Sequence, residues 1–580
     1  MPEFLFLDWK HTLLDKLKKR YDEVLKQGEL ERQWCAETRQ MAVKFLKQFR
    51  KQYSIITGDK AKNTYCVICK RHLAQQIITE VDNTSTYEAT QLTEVQITEE
   101  DYKFMLREKL VTMKLEEAQQ ILPPQNPPPE HTLFHSRIPT FGVSLKMHKA
   151  NSLRFMAKSH KTSLSQLSKW LSRTFRETML VSEEIWRELF LKAGIVTQSS
   201  WVINNSKQVR QRMAKMQAAG LRPPSSGQQT YDFATMYTSM QLKAIEKKMQ
   251  QYVNLVFEYK RQDGGKDNGK PKVLMIKSRG LGKWITDENQ KDKRGTKFMN
   301  AKKLKRWINY LLKRLYVKVG DQVKRQRIGL PMGTSCSPFL ANIVLFMYEF
   351  LYFTDEIAKL KPWQLELDRE TAKQKAKKSK QSWRVEVEKI MNEDGYNKGV
   401  SRLHMIRKLS FCTRYIDDLW NPLVEKDIFQ SIVQRIYPPW LKLGLEDEGN
   451  VNYLDMTIWC EASKERDKIQ WHSKLYDKKV GLIAAGLRLN KFPHPESCLS
   501  SRCKYGVITS QLHRYNVACT QTEHFLEPAL DLYITYVEKG YKPQLINRYF
   551  SRFLRHYKPE VHSDIIRRRY AKQMGGQGRN

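Results

Sequence analysis

Acidic side chains are scarce in this chain of 580 residues: 62 Asp and Glu stand against 101 Lys and Arg, a formal balance of +39. A deficit of that size is the electrostatic footprint of a protein that meets a polyanion. Cysteine is scarce too. Nine residues, an odd number, do not make a disulfide framework and lead to an expectation of reduced thiols inside the cell. Abundant Lys/Arg clusters extend that expectation to the nucleus. No apolar run reads as long enough to span a bilayer, so no membrane contact is expected. Met1 to Lys10 is short and carries acids, unlike a secretory signal. A phosphate-binding P-loop is missing as well, because Gly282-Lys283 is followed by Trp284 rather than Ser or Thr. No Ser-His-Asp order stands out. What is present is 41% hydrophobic residues and enough length for about three or four domain-sized lobes.

The most informative stretch is Phe411-Cys412-Thr413-Arg414-Tyr415-Ile416-Asp417-Asp418-Leu419-Trp420, two adjacent carboxylates inside a mostly apolar run. On one strand, neighbouring side chains point to opposite faces. At the turn of a tight hairpin, both acids can reach one solvent pocket. Oxygen-only donors suit a hard divalent cation such as Mg2+. Two other stretches accompany it. Thr230-Tyr231-Asp232-Phe233-Ala234-Thr235-Met236-Tyr237-Thr238-Ser239 places one carboxylate in a strand-like run before a helix-compatible segment. Gly329-Leu330-Pro331-Met332-Gly333-Thr334-Ser335-Cys336-Ser337-Pro338 is a loop feeding an apolar helix. A lone Asp, a loop-helix and an Asp-Asp hairpin, in that order, resemble motifs A, B and C of the palm of reverse transcriptases. Tyr-Ile-Asp-Asp favours a reverse transcriptase over a viral RNA-templated RNA polymerase.

Around these motifs the chain falls into three regions: a basic helical N-terminal region over 1–122, a central region over 130–460 with insertions about 259–297 and 359–400, and a basic helical region with a tail over 461–580. In the first, Leu13, Leu14, Leu17 and Tyr21, then Met41, Phe45 and Phe49, recur at helical spacing. Cys66 and Cys69 precede His72, but a structural zinc site needs four ligands, and buried cysteines on a strand are expected instead. Pro123 to Pro129 reads as a stiff spacer of polyproline type. Phe141 to Lys149 and Ser152 to Ala157 read as a hairpin carrying cations. Residues 164–192 read as a buried helix pair, 259–297 as a solvated loop with a hairpin near Val273-Leu274-Met275-Ile276, and Lys373 to Lys380 as part of a basic helix. Val451 to Trp459 reads as one strand, and the chain from about Trp471 as helical.

Leu145-Lys146-Met147-His148-Lys149 is similar to a Pro-Lys-x-His-Lys signature, with Leu145 in the proline's place. With Gly58-Asp59-Lys60, Leu454-Asp455 and the run Asp232 to Met240, it resembles Penelope-like element reverse transcriptases, the group near telomerase reverse transcriptases. The resemblance covers roughly residues 58–550. No Gly-Ile-Tyr pair follows Ser551 to Leu554, so the likeness is to members without a GIY-YIG endonuclease, or to a domesticated relative. It implies an α+β right-hand polymerase fold with fingers, an antiparallel palm sheet, a thumb and a helical N-terminal region. It implies an RNA-directed DNA polymerase working on an RNA template, a DNA primer, their RNA-DNA hybrid and dNTP. Asp232, Asp417 and Asp418 would hold Mg2+ or Mn2+, with the Phe233 carbonyl as a further ligand. Lys146 or Lys149 would contact phosphate, Arg154 would pack on the nucleotide, Tyr237 would exclude the 2′-hydroxyl, and Gly333 would let backbone approach the nascent pair. Two competing readings are a telomerase-like enzyme copying a bound RNA, and a non-catalytic nucleic-acid-binding relic.

Overall fold

The structure, a computed structural model, describes residues 41, 43–58, 65–114, 133–146, 152–193, 195, 199–262, 269–286, 289–293, 295–331, 333–360, 396–462, 469–477, 492–497 and 499–559. The helix expected before residue 41, the proline spacer, Lys149, the Lys373 to Lys380 run and the Arg567 to Asn580 tail lie outside them. The chain divides into two compact units.

The smaller unit comprises Met1–Asp82 with Ser144–Ser152. Strands β1 (Tyr53–Thr57) and β2 (Tyr65–Cys69) pair antiparallel, from Tyr53 opposite Cys69 to Thr57 opposite Tyr65, and helix α1 (Lys70–Val81) follows. Gly58 bridges to Leu145. The strand expected at Cys66 and Cys69 is there, but neither thiol is buried: Cys66 is half-buried and Cys69 exposed. A two-stranded sheet has too little area to close over both its faces, and Ile55 and Val67 are exposed with them. Cys66, Cys69 and His72 do not converge as metal ligands.

The larger unit holds the rest. It opens with β3 (Tyr87–Ala89) and α2 (Glu94–Arg107). A capping box between Thr93 and Gln96 starts α2 by satisfying helix N–H groups that have no partner within the helix. Two short strands, β4 (Met113–Lys114) and β5 (Leu133–Phe134), then β6 (Thr140–Leu145) and β7 (Leu153–Lys158), lead to α3 (Ser165–Lys192). Next come α4 (Ser206–Ala218), β8 (Gln228–Phe233), the one-turn helix α5 (Met236–Ser239) and α6 (Leu242–Gln262). Strands β9 (Val273–Lys277), β10 (Lys283–Ile285) and β11 (Thr296–Met299), helix α7 (Ala301–Lys313), and strands β12 (Tyr316–Val319) and β13 (Gln322–Gln326) precede α8 (Ser337–Ala358). After α9 (Tyr396–Leu409) come β14 (Thr413–Tyr415), β15 (Asp418–Asn421), α10 (Lys426–Ile436), β16 (Leu443–Gly449), β17 (Val451–Tyr453), β18 (Met456–Ala462) and β19 (Ile469–Leu475). Helices α11 (Ser501–Ala518), α12 (Thr522–Glu538) and α13 (Pro543–Tyr557) are its last elements among the described residues.

The architecture is α+β. One four-stranded sheet, ordered β14-β15-β8-β16, carries the acidic motifs; a five-stranded sheet, β3-β13-β12-β6-β7, carries the basic hairpin. Helix α8 is apolar on nearly every face, as a helix surrounded by protein must be. By length and composition it could cross a bilayer, contrary to the expectation of no such run, but 67% of its apolar window is buried in the unit. Trp186 of α3 packs on Phe346 and Phe353 of α8, at ring distances of 6.0 and 5.0 Å.

Four expectations change. The stretch 164–192 holds one 28-residue helix, Ser165–Lys192, rather than a pair, because no glycine or proline interrupts it. The glycine-rich insertion is not a solvated loop: β10-β9-β11 form a sheet that sends Leu274, Ile276 and Met299 into the main core. Val451 to Trp459 is broken by Leu454 at φ 56°, which turns β17 back onto β18. Trp471 lies on strand β19, and among the described residues the next helix after it is Ser501–Ala518.

Candidate active site: three carboxylates and their supports

In the β14–β15 hairpin, Thr413 faces Trp420, Arg414 faces Leu419 and Tyr415 faces Asp418. Ile416 and Asp417 are left as a two-residue turn, with Ile416 at φ 59°. A β-branched residue in the left-handed region is strained, and such strain persists only where neighbours enforce it. Asp418 pairs across the sheet with Asp232 of β8, and the Phe233 N–H donates to the Asp417 carbonyl at 3.3 Å. The turn thus resolves the opposite-face problem: carboxylate oxygens of Asp232, Asp417 and Asp418 all lie within 4.8 Å of one another, half-buried. Among the described residues this is the only group of three or more His, Cys, Asp or Glu side chains to converge so closely.

The enforcing neighbour is Arg414. Its side chain is fully buried against that of Glu349 on α8, Nε to Oε1 at 2.5 Å. Its Nη1 donates to Asn342 Oδ1 at 2.9 Å and to the carbonyl of Ile416 at 3.0 Å, one residue before Asp417. Tyr437 donates its hydroxyl to Glu349 at 2.6 Å. Burial works against the Arg414 charge, but Glu349, Tyr437 and Tyr453 together outweigh it and hold the guanidinium above its ordinary pKa. Burial, then Glu349, push the Tyr437 phenol well up. Arg212 of α4 is the second buried cation: it donates to the carbonyls of Ser410 at 2.8 Å and Cys412 at 2.6 Å, and burial lowers its pKa to about 10. Sequence reasoning missed these supports. The available signal was an arginine in an apolar strand and a glutamate in an apolar helix, which are buried only when paired.

Tyr237 follows Asp232 on the one-turn helix α5, half-buried against the main core. Burial, then the Asp417 carboxylate, raise its phenol pKa. Its carbonyl accepts from the Leu330 N–H at 2.6 Å, while the Gly329 N–H donates to Met240 at 2.7 Å. Gly329, at φ +88°, has room for no side chain, because a Cβ would lie 2.4 Å from the Tyr237 oxygen. Gly333, at φ +123°, is as tight: a Cβ there would meet the Ala157 carbonyl oxygen of β7 at 2.1 Å. Ser159 closes the contact by donating to the Gly333 carbonyl at 2.5 Å. The glycine at 333 therefore serves first as the seat of β7 against the loop.

Arg154 lies on β7 with its side chain exposed. Lys146 belongs to the smaller unit, where its N–H donates to Ser152 at 2.9 Å. The structure thus brings together Asp232, Asp417, Asp418 and Tyr237, and seats the strand of Arg154 on the Gly333 loop. The Phe233 ring is buried edge-on against Tyr437, which leaves only its main chain to face a cation.

A donor set of three carboxylates and no nitrogen or sulfur fits a hard, oxygen-seeking divalent cation. Magnesium or manganese therefore suits these residues.

No protein-family profile matches the chain, and no curated protein sequence matches it significantly. Solved structures similar to it include telomerase from Candida albicans in complex with a TWJ fragment of telomeric RNA, at 9% identity and a TM-score of 0.43 over 88% of this chain. Apo telomerase from Candida tropicalis is similar at 10% identity and a TM-score of 0.40 over 87%. The match spans 65% and 66% of those two chains.

Proposed function

We propose that the protein is an RNA-directed DNA polymerase that extends a primer 3′-hydroxyl on an RNA template. The observation that carries this is the convergence of Asp232, Asp417 and Asp418 beside Tyr237. In this reading β14-β15-β8-β16 is the palm sheet, the β6–β7 hairpin belongs to the fingers, and α11–α13 form the thumb. Asp232 at the strand end and Asp417 in the turn would hold the cations, with Asp418 and the Phe233 carbonyl as further oxygen donors. When bound, Mg2+ or Mn2+ would lower the pKa of the primer hydroxyl and neutralise charge on the triphosphate and departing pyrophosphate. Tyr237 sets its ring under the sugar and leaves no room for a 2′-hydroxyl. Arg154 lays a planar cation toward the nucleotide, a geometry that both stacks and forks onto phosphate, and the motif resemblance assigns a phosphate contact to Lys146 or Lys149. Three intact carboxylates in one cluster favour an enzyme over a binding relic. A Penelope-like origin rests on the motif set quoted above, and a nuclear site of action on the basic clusters.

Primer extension by the purified protein on homopolymer RNA and DNA templates, with dNTP and Mg2+ or Mn2+, tests the reading. Extension is expected on RNA template. Template–primer binding without incorporation under either metal would overturn it.

A further inference from the structure

Helix α7 carries a polar stripe. Lys303, Arg306, Tyr310 and Lys313 recur at steps of three, four and three, while Leu304, Trp307, Ile308 and Leu311 fill the buried side. The stripe forms one wall of a cavity of about 890 Å³ whose other walls come from the end of α2 and the loop before β11. Six cations line it, Arg107, Lys109, Lys291, Lys303, Arg306 and Lys313, against two acids, Glu108 and Asp292. Both acids are already engaged. Glu108 accepts from Trp307 Nε1 at 2.8 Å and pairs with Arg306 at 2.8 Å; Asp292 pairs with Lys303 at 2.6 Å.

Six cations less these two paired ones leaves four, Arg107, Lys109, Lys291 and Lys313. All four are exposed, and none has a carboxylate partner among the described residues. Lys109 is fixed at φ 53° just beyond α2, its carbonyl taken by the Lys297 ammonium at 2.5 Å. The floor is rigid: Phe104 and Tyr310 stack at 3.6 Å with an interplanar angle of 5°, and Arg107 sits over the Phe104 ring. Asn309 also lines the wall.

We infer that this groove is a second nucleic-acid contact, apart from the three carboxylates, in which a single strand lies along α7 with its phosphates on Arg107, Lys109, Lys291 and Lys313. From Lys303 to Lys313 the stripe is roughly 15 Å long at about 1.5 Å per residue. The inference goes beyond the polymerase reading and does not depend on catalysis.

The test is fluorescence anisotropy of the full chain in EDTA, with labelled 15-mer oligo(U) and oligo(dT), over a range of salt. The Arg107→Ala, Lys109→Ala, Lys291→Ala, Lys313→Ala quadruple variant is compared with Lys207→Ala, Lys243→Ala, Lys247→Ala, Lys474→Ala, which removes four exposed lysines elsewhere. The groove variant should bind at least about tenfold more weakly, with a log-log salt slope shallower by about 0.7 for each phosphate no longer neutralised. Weaker binding in the RNA arm alone assigns the strand as RNA, in the DNA arm alone as DNA, and in both as either through the shared phosphate. Equal weakening in the two variants, or none in the groove variant, would overturn the inference. So would stronger displacement by polyglutamate than by unlabelled oligonucleotide at equal charge, which would assign the groove to an acidic protein segment. Extension at saturating template–primer should be unchanged in the groove variant. A wild-type chain that binds but never extends would sink the polymerase reading and leave the groove standing.

Discussion

At the scale of single residues, two side chains make sharply different predictions. Tyr237 is half-buried against the core five residues after Asp232, and burial, then Asp417, raise its phenol pKa. Tyr237→Ala should raise the kcat/KM ratio of ribonucleotide to deoxyribonucleotide incorporation by about tenfold or more, even as the overall rate falls, if the ring blocks the 2′-hydroxyl. Single-nucleotide extension with matched dNTP and rNTP measures this, and parallel losses would make Tyr237 a packing residue. Arg414 touches no ligand in this account; it is a positioning residue, because it reaches the site only through the Ile416 carbonyl. Arg414→Met strands Glu349 in the core and should cost about 3–5 kcal/mol of stability in urea unfolding. Adding Glu349→Leu removes the stranded charge and should restore much of that stability. Extension should stay impaired in the double variant, since the turn carbonyl still lacks its donor. Full recovery of extension together with stability would reduce Arg414 to a fold residue.

Among the elements, the acidic motifs were readable in advance because each combines an apolar strand with a chemistry-bearing break: the Asp417-Asp418 pair at a turn, Asp232 at a strand end, glycines before α8. What sequence could not show was the reason for a given break. Gly333 reads as room for a ligand, whereas the structure fills that room with Ala157 of β7. Leu454 carries no turn signal, yet it stands at φ 56° and ends β17. The glycines after Gln262 suggested a loop, and the buried sheet β10-β9-β11 depends instead on Leu274, Ile276 and Met299 meeting a core made by distant segments. Periodicity sees one element at a time and cannot see such partners. Gly333→Ala should therefore act through the loop that seats β7. Backbone at 2.1 Å from the new Cβ has to shift, at a cost of about 1–3 kcal/mol in thermal or urea unfolding. KM for dNTP should rise with it, because Arg154 rides on the displaced strand; an unchanged melting temperature and KM would contradict the seating role.

Across the whole molecule, the +39 balance and the carboxylate cluster divide the labour. In the proposed function, surplus cations would supply affinity for a sugar-phosphate backbone without reading sequence, and the three acids would confine chemistry to one point. Binding to an RNA-DNA hybrid should weaken steeply with salt, with a log-log slope of roughly -0.9 per phosphate neutralised on B-form duplex as a guide. A nearly flat line would mean that the charge serves something else. The division of labour is tested most directly by measuring primer extension and template–primer affinity side by side for wild type and Asp417→Asn. An amide keeps the shape of the turn but lacks the charge to hold a cation among phosphates. Extension should fall by roughly a thousandfold or more, since several kcal/mol of transition-state stabilisation is withdrawn, while affinity stays within about twofold. Wild-type extension by Asp417→Asn at saturating Mg2+ would contradict the account.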